Sequence, residues 1–219
     1  MKVRKLFYGG IILILIFVLW TFLVQNVDVQ CVGQNGTAVG FATLNCRFHE
    51  WTGVHMSLYV ITDWLGLAPI FFCMCLGGIG LVQLIKRKNL FRVDSDILIL
   101  GIYYIIVILG YLIFEKIPIN YRPIPINGVM EASYPSSTTL LVFSVMPTVI
   151  FQSERRIKNI IIRKIIIVFS VLFSLFMVIG RTVSGVHWLT DIVGAVLFSS
   201  GLYLIYISSA LFFNQKTKG

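Results

Sequence analysis

Three residues in this chain have the types and spacing of a catalytic group. Arg181, His187 and Asp191 stand as R-x5-H-x3-D. Where a helix opens near Trp188, His187 and Asp191 fall four apart on one face, and the carboxylate can hold one imidazole nitrogen. The other ring nitrogen is then left as a nucleophile or base. Arg181 adds a planar fork of donors suited to a phosphate. Taken singly, each has a plainer reading: a helix-capping aspartate, a snorkelling arginine, an interfacial histidine. A second cluster changes the balance. Lys116 and Arg122-Pro123 would add positive charge for a phosphate to the same mouth, and Tyr134-Pro135-Ser136-Ser137-Thr138-Thr139 follows. Small hydroxylated residues after a proline at a helix start leave backbone N–H groups facing outward, an anion site by geometry and dipole. Arg122, Arg181 and His187 thus share one plausible ligand, a phosphate at a membrane surface. Three histidines without a paired carboxylate cluster offer too few ligands for a metal, and neither metal nor cofactor is expected.

The elements that must position these residues are membrane helices. Of 219 residues, 58% are hydrophobic and 12% charged, with a mean hydropathy of +0.90, about half the charge of a soluble domain. Six apolar runs are long enough to span, at about 7–24, 56–85, 97–114, 136–151, 165–180 and 192–213. Pro147 should kink the fourth. The fold class is therefore all-α, one polytopic integral-membrane domain. The first run reads as a retained helix rather than a signal peptide, since polar Gln25-Asn26 follows it instead of a small-residue cleavage site.

Fourteen of the eighteen Lys and Arg residues fall on one side of a six-span layout, leaving Arg47, Lys116, Arg122 and Arg181 on the other. This asymmetry predicts cytoplasmic termini and accounts for the net charge of +9 without nucleic acid. The expected partners are membrane lipids and a phosphorylated lipid substrate. On the sparsely charged side, Cys31 and Cys46 could close a disulfide across about 15 residues, and Asn35-Gly36-Thr37 fits a glycosylation sequon. The oligomeric state is not encoded in any visible pattern.

Taken together, the Arg-Pro element, the Pro-Ser element and R-x5-H-x3-D resemble the three-part signature of the type 2 phosphatidic acid phosphatase superfamily, whose membrane members have six helices and an outward-facing site. The resemblance implies that His187 forms a phosphohistidine, with Asp191 orienting it. It implies that Arg122 and Arg181 bind phosphoryl oxygens, and that Ser136 and Ser137 contribute at the helix start. Gly180 stands where the family usually has Ser. The family's first motif is K-x6-R-P, whereas Lys116 is one residue nearer Arg122 and Glu115 takes the usual lysine position. Its second motif is P-S-G-H, whose His protonates the leaving group; here that position is Thr138.

A hydroxyl cannot serve as a general acid near neutral pH, a contribution worth about 10²- to 10⁴-fold. A phosphate leaving group departs without such help and an alkoxide does not, which favours a lipid pyrophosphate such as a polyprenyl pyrophosphate over a phosphomonoester. Glu131 or Glu115 could supply the proton instead, though a solvated loop carboxylate is the simpler reading of each. The expected activity is a metal-independent lipid phosphatase in a bacterial cytoplasmic membrane. The alternatives are a lipid-linked phosphotransferase and a catalytically degenerate phospholipid-binding or transport protein.

Overall fold

The computed structural model describes residues 2–33 and 36–216; Asn35 of the sequon and Lys218 of the basic tail lie outside them. Among the described residues there are eight α-helices: α1 (Lys2–Asn26), α2 (Ala42–Thr52), α3 (Met56–Leu65), α4 (Leu67–Arg87), α5 (Ser95–Lys116), α6 (Ser137–Arg156), α7 (Ile160–Val183) and α8 (Leu189–Lys216). With 25, 22, 24 and 28 residues, α1, α5, α7 and α8 run about 33–42 Å at 1.5 Å per residue, enough to cross a hydrocarbon core of about 30 Å. Their outward faces carry exposed Leu15, Leu19, Ile105, Ile165, Leu172 and Ile179, apolar surface that a bilayer covers and water would not.

The helices outrun the apolar runs at nearly every end, because charged and amide residues continue the backbone ladder beyond the hydrocarbon while reaching toward water. At the start of α7 the Asn159 side chain accepts from the N–H groups of Ile161 and Ile162 and sets the boundary five residues before the expected one. The second run, expected as one helix over 56–85, is two. Pro69 cannot donate to the Leu65 carbonyl and its ring crowds it, and the chain breaks at Gly66 into α3 and α4. Helix α2 was not expected at all. It lies in the long connection after α1, where the Asp28 carboxylate accepts the Thr43 N–H at 2.7 Å and caps it from outside the helix.

Five helical segments are long and apolar enough to span, with α3 and α4 counted together. Helix α6 is the exception to the six expected from sequence. It is packed against α4, α5, α7 and α8, and its Ser144, Thr148 and Gln152 are buried. These polar residues lower its hydropathy, and two of them find side-chain partners inside: Tyr104 Oη lies 2.6 Å from Thr148 Oγ1, and Gln152 donates to Tyr206 Oη at 2.8 Å. Near Pro147 the Ser144 carbonyl accepts the Tyr103 hydroxyl at 2.9 Å, so a neighbouring helix supplies a donor beside the gap the proline leaves.

Helices α1 and α8 run antiparallel: Gly10 packs on Gly201 and Ile205 near one end, and Trp20 Nε1 donates to the Thr190 carbonyl at the other. The bundle therefore has two distinct ends. One carries Arg87, Arg155 and Arg156 in a network with Asp94 and Asp96. The other gathers α2, α3, the α5–α6 connection and the α7–α8 turn. The disulfide considered for Cys31 and Cys46 is not formed, and both thiols are free. That loop is closed instead by backbone pairing of Gln30 with Val39 and by the Asp28–Thr43 cap, which leave Cys31 exposed and Cys46 on α2.

Candidate active site

The α5–α6 connection folds back on itself. Ile126 and Val129 exchange both backbone hydrogen bonds around an Asn127-Gly128 turn with positive φ at both residues. Below the turn Tyr121 bridges Ala132, Arg122 N–H donates to the Glu131 carbonyl and Ser133 N–H to the Asn120 carbonyl. This short ladder carries Asn120 and Arg122 against the start of α8. Trp188 locks it there, its Nε1 donating to the Tyr121 carbonyl at 2.8 Å.

The α7–α8 turn is held from the other side. Gly185 has φ of +73°, and a Cβ on it would lie 2.2 Å from the Gly53 carbonyl oxygen. His55 N–H donates to the Ser184 carbonyl, and His49 Nε2 lies 3.1 Å from the Gly185 carbonyl. The α2–α3 connection thus clamps the turn that presents His187.

His187 and Asp191 are buried. Asp191 Oδ2 accepts the Trp188 N–H at 2.9 Å and lies 3.7 Å from His187 Nδ1, while Asn120 Nδ2 reaches Oδ1 at 3.4 Å. Asp191 is therefore both the helix cap and the carboxylate facing the imidazole, and the plain reading and the chemical one are true together. At 3.7 Å the His–Asp pair is longer than a hydrogen bond, and catalytic hydrogen bonds commonly tighten when substrate binds. Burial, followed by the charges of Arg122 and Arg181, holds the His187 pKa well below its ordinary value of 6.5. A neutral imidazole keeps a lone pair on its unprotonated nitrogen.

Two guanidiniums converge on the same space. Arg181 Nη2 is anchored by Asp63 Oδ1 at 3.1 Å and by Thr138 Oγ1 at 2.5 Å, and Arg122 Nη2 by Glu131 Oε2 at 3.0 Å. Both lie against the Tyr59 ring, with Cζ-to-centroid distances of 4.8 Å for Arg181 and 5.9 Å for Arg122. Nε and Nη1 of each arginine, and both ring nitrogens of His187, are buried with no hydrogen-bond partner among the described residues. Four guanidinium nitrogens left unpaired beside an imidazole cost stability unless an anion meets them.

The other expected residues are divided. Ser136 is buried at the cap of α6, where its N–H donates to the Asp191 carbonyl and its hydroxyl to Thr139 Oγ1; it ties α6 to α8 and its donors are in use. Ser137 and Thr138 form the first turn of α6. Lys116 is not brought in: it is exposed on the last turn of α5. Glu115 instead lines a cavity of about 150 Å³ with Arg122 and Glu131, since the one-residue slip turns the lysine by about 100° around the helix. Tyr59 and Asp63 were missed as site residues. A carboxylate alone in an apolar helix, one turn from a tyrosine, was the available signal.

A model of the PAP2 superfamily matches residues 103–216. The chain belongs to the PAP2 superfamily. Its span takes in all three motifs, so the family expected from them is the one found, and this PAP2 protein is a hydrolase of the phosphatase kind. The crystal structure of a transmembrane PAP2-type phosphatidylglycerolphosphate phosphatase from Bacillus subtilis superimposes on it with a TM-score of 0.65 at 18% identity, covering 95% of this chain and 97% of that one. The likeness shows a membrane PAP2 fold over nearly the whole molecule. A search of curated protein sequences returned no match.

Proposed function

We propose that this PAP2 protein hydrolyses a lipid pyrophosphate, of the polyprenyl class, through a phosphohistidine at His187 on the outer face of a bacterial cytoplasmic membrane. The observation that carries this reading is the set of four unpartnered guanidinium nitrogens beside the unpartnered imidazole. Arg122 and Arg181 hold the terminal phosphate, and the first turn of α6 adds N–H groups. Asp191 keeps the proton on Nδ1, Nε2 attacks phosphorus, and the lipid monophosphate leaves. Thr138 at the second-motif position supports the pyrophosphate, because that leaving group needs no proton.

A cavity of about 330 Å³ supports the lipid assignment. Leu67, Ile70, Val107, Ile108, Leu140 and Leu141 line it, and it ends at Asp63, Ser137 and Thr138, so an apolar chain lying there carries its phosphate to Arg181. Orientation follows from charge. The basic end of the bundle, with Arg87, Arg155 and Arg156, lies opposite the site and takes the cytoplasmic side, α6 making the sixth crossing within the bundle.

Phosphate release from detergent-solubilised protein tests the reading, with polyprenyl pyrophosphate, phosphatidic acid and phosphatidylglycerol phosphate compared. Faster turnover of the pyrophosphate is expected, together with its loss in His187→Ala. Full activity in that variant, or preference for a monoester, overturns the mechanism or the substrate respectively.

A further inference from the structure

Phosphohistidine hydrolysis needs a base for the attacking water, and Thr138 cannot be one. We propose that Asp63 of α3 accepts that proton. The inference rests on the phosphohistidine reading above and adds a residue to it.

Asp63 Oδ1 and Thr138 Oγ1 bind the same nitrogen, Arg181 Nη2, at 3.1 and 2.5 Å. The carboxylate therefore sits beside the second-motif position, one guanidinium width from the Nε and Nη1 atoms that face the phosphate. The cavity of about 330 Å³ opens at Asp63 and Thr138 and includes neither His187 nor Asp191. A group leaving toward this cavity departs away from the imidazole. In-line displacement brings the water back along the same path, past Asp63.

Of the carboxylates around the two guanidiniums, Asp63 alone lines the larger cavity. Glu131 pairs with Arg122 at 3.0 Å, and Glu115 lines the separate small cavity beside Arg122. Asp191 is buried under Trp188 N–H and the imidazole. The Tyr59 ring lies against both guanidiniums. The Asp63 side chain, although it too pairs with a guanidinium, lines the larger cavity beside Thr138, so it meets a water entering by that path.

The step balances within these residues. The water oxygen bonds to phosphorus and one of its protons moves to the Asp63 carboxylate. The P–Nε2 bond breaks, its electron pair returning to His187. Inorganic phosphate departs, and the Asp63 carboxylic acid loses its proton to solvent.

Rapid-quench labelling with lipid pyrophosphate carrying 32P in its terminal phosphate separates a base from a clamp on Arg181. In Asp63→Asn, which keeps an oxygen for Arg181, label should enter the protein at the wild-type rate and leave about 10²- to 10⁴-fold more slowly, so phosphoprotein accumulates. Asp63→Glu should recover part of the decay rate. Turnover at the wild-type rate in Asp63→Asn, or failure of that variant to take label, overturns the base role, the second outcome marking Asp63 as a clamp. His187→Ala, taking no label, is the control. Wild-type protein that neither takes label nor releases phosphate overturns the phosphohistidine reading itself, and the role of Asp63 with it.

Discussion

Arg181 divides its work among its nitrogens. Nη2 is spent on Asp63 and Thr138, while Nε and Nη1 stay buried and unpaired among the described residues. A lysine cannot do both, since its single ammonium has no fork. Arg181→Lys should lower kcat/KM for the lipid pyrophosphate by about 10²-fold, the scale of losing one positioned donor to developing charge; steady-state phosphate release measures it. Thr138→His tests the leaving-group argument: hydrolysis of phosphatidic acid should rise toward about 10²-fold while the pyrophosphate rate changes little. His187 also links the site to stability. Its pKa in the fold is depressed below 6.5 by burial and by Arg122 and Arg181. Between the folded and unfolded values the unfolded chain binds the extra proton, so stability rises with pH there and is lost as pH falls below about 6.5. Melting of the solubilised protein from about pH 7 to pH 5 should therefore fall more steeply in wild type than in His187→Gln.

At the scale of elements, the connections hold the chemistry and the helices hold the connections. Gly185 takes a left-handed φ where its backbone passes against Gly53, and an added methyl has neither an allowed conformation nor space. Gly185→Ala should lower stability by about 1–3 kcal/mol and reduce activity as His187 shifts; a thermal melt paired with an activity assay checks both. At the opposite end, Asp96 has a side chain only 2% exposed and pairs with Arg155 and Arg156, joining α5 to α6. Asp96→Ala leaves Arg155 without its carboxylate and Arg156 with Asp94 alone and should cost about 3 kcal/mol, read as a lower melting temperature. The boundaries of these elements were less legible than their existence. Apolar runs located α1, α5, α7 and α8, but Asn159, Pro69 and the charged flanks decided where helices begin, break and end. Helix α2 escaped notice because its residues are polar and its cap, Asp28, is remote in sequence.

For the whole molecule, the segregation of charge and chemistry to opposite ends is the governing feature. Arg87, Arg155 and Arg156 lie at the end opposite Arg122 and Arg181, which are buried. Cys31 is exposed on the site end while Cys75 lies on α4 within the span. A membrane-impermeant thiol reagent applied to intact cells should modify wild-type protein and fail to modify the double variant Cys31→Ser, Cys46→Ser; labelling from the cytoplasmic side instead would invert the orientation.

The amino-acid sequence by itself determined that the chain is a bundle of membrane helices, because hydropathy is a sum over neighbours in the chain. It also determined the family and the His187–Asp191 pair, because residues four apart across the start of a helix stay near in space whatever the rest of the chain does. Only the tertiary structure decided which cations face the imidazole. Arg122 was brought there by a folded-back loop and Lys116 turned away by one residue of helix phase. Asp63 and Tyr59 arrived from a helix more than 70 residues distant. Such placements depend on packing between distant segments, and no spacing along the chain encodes them.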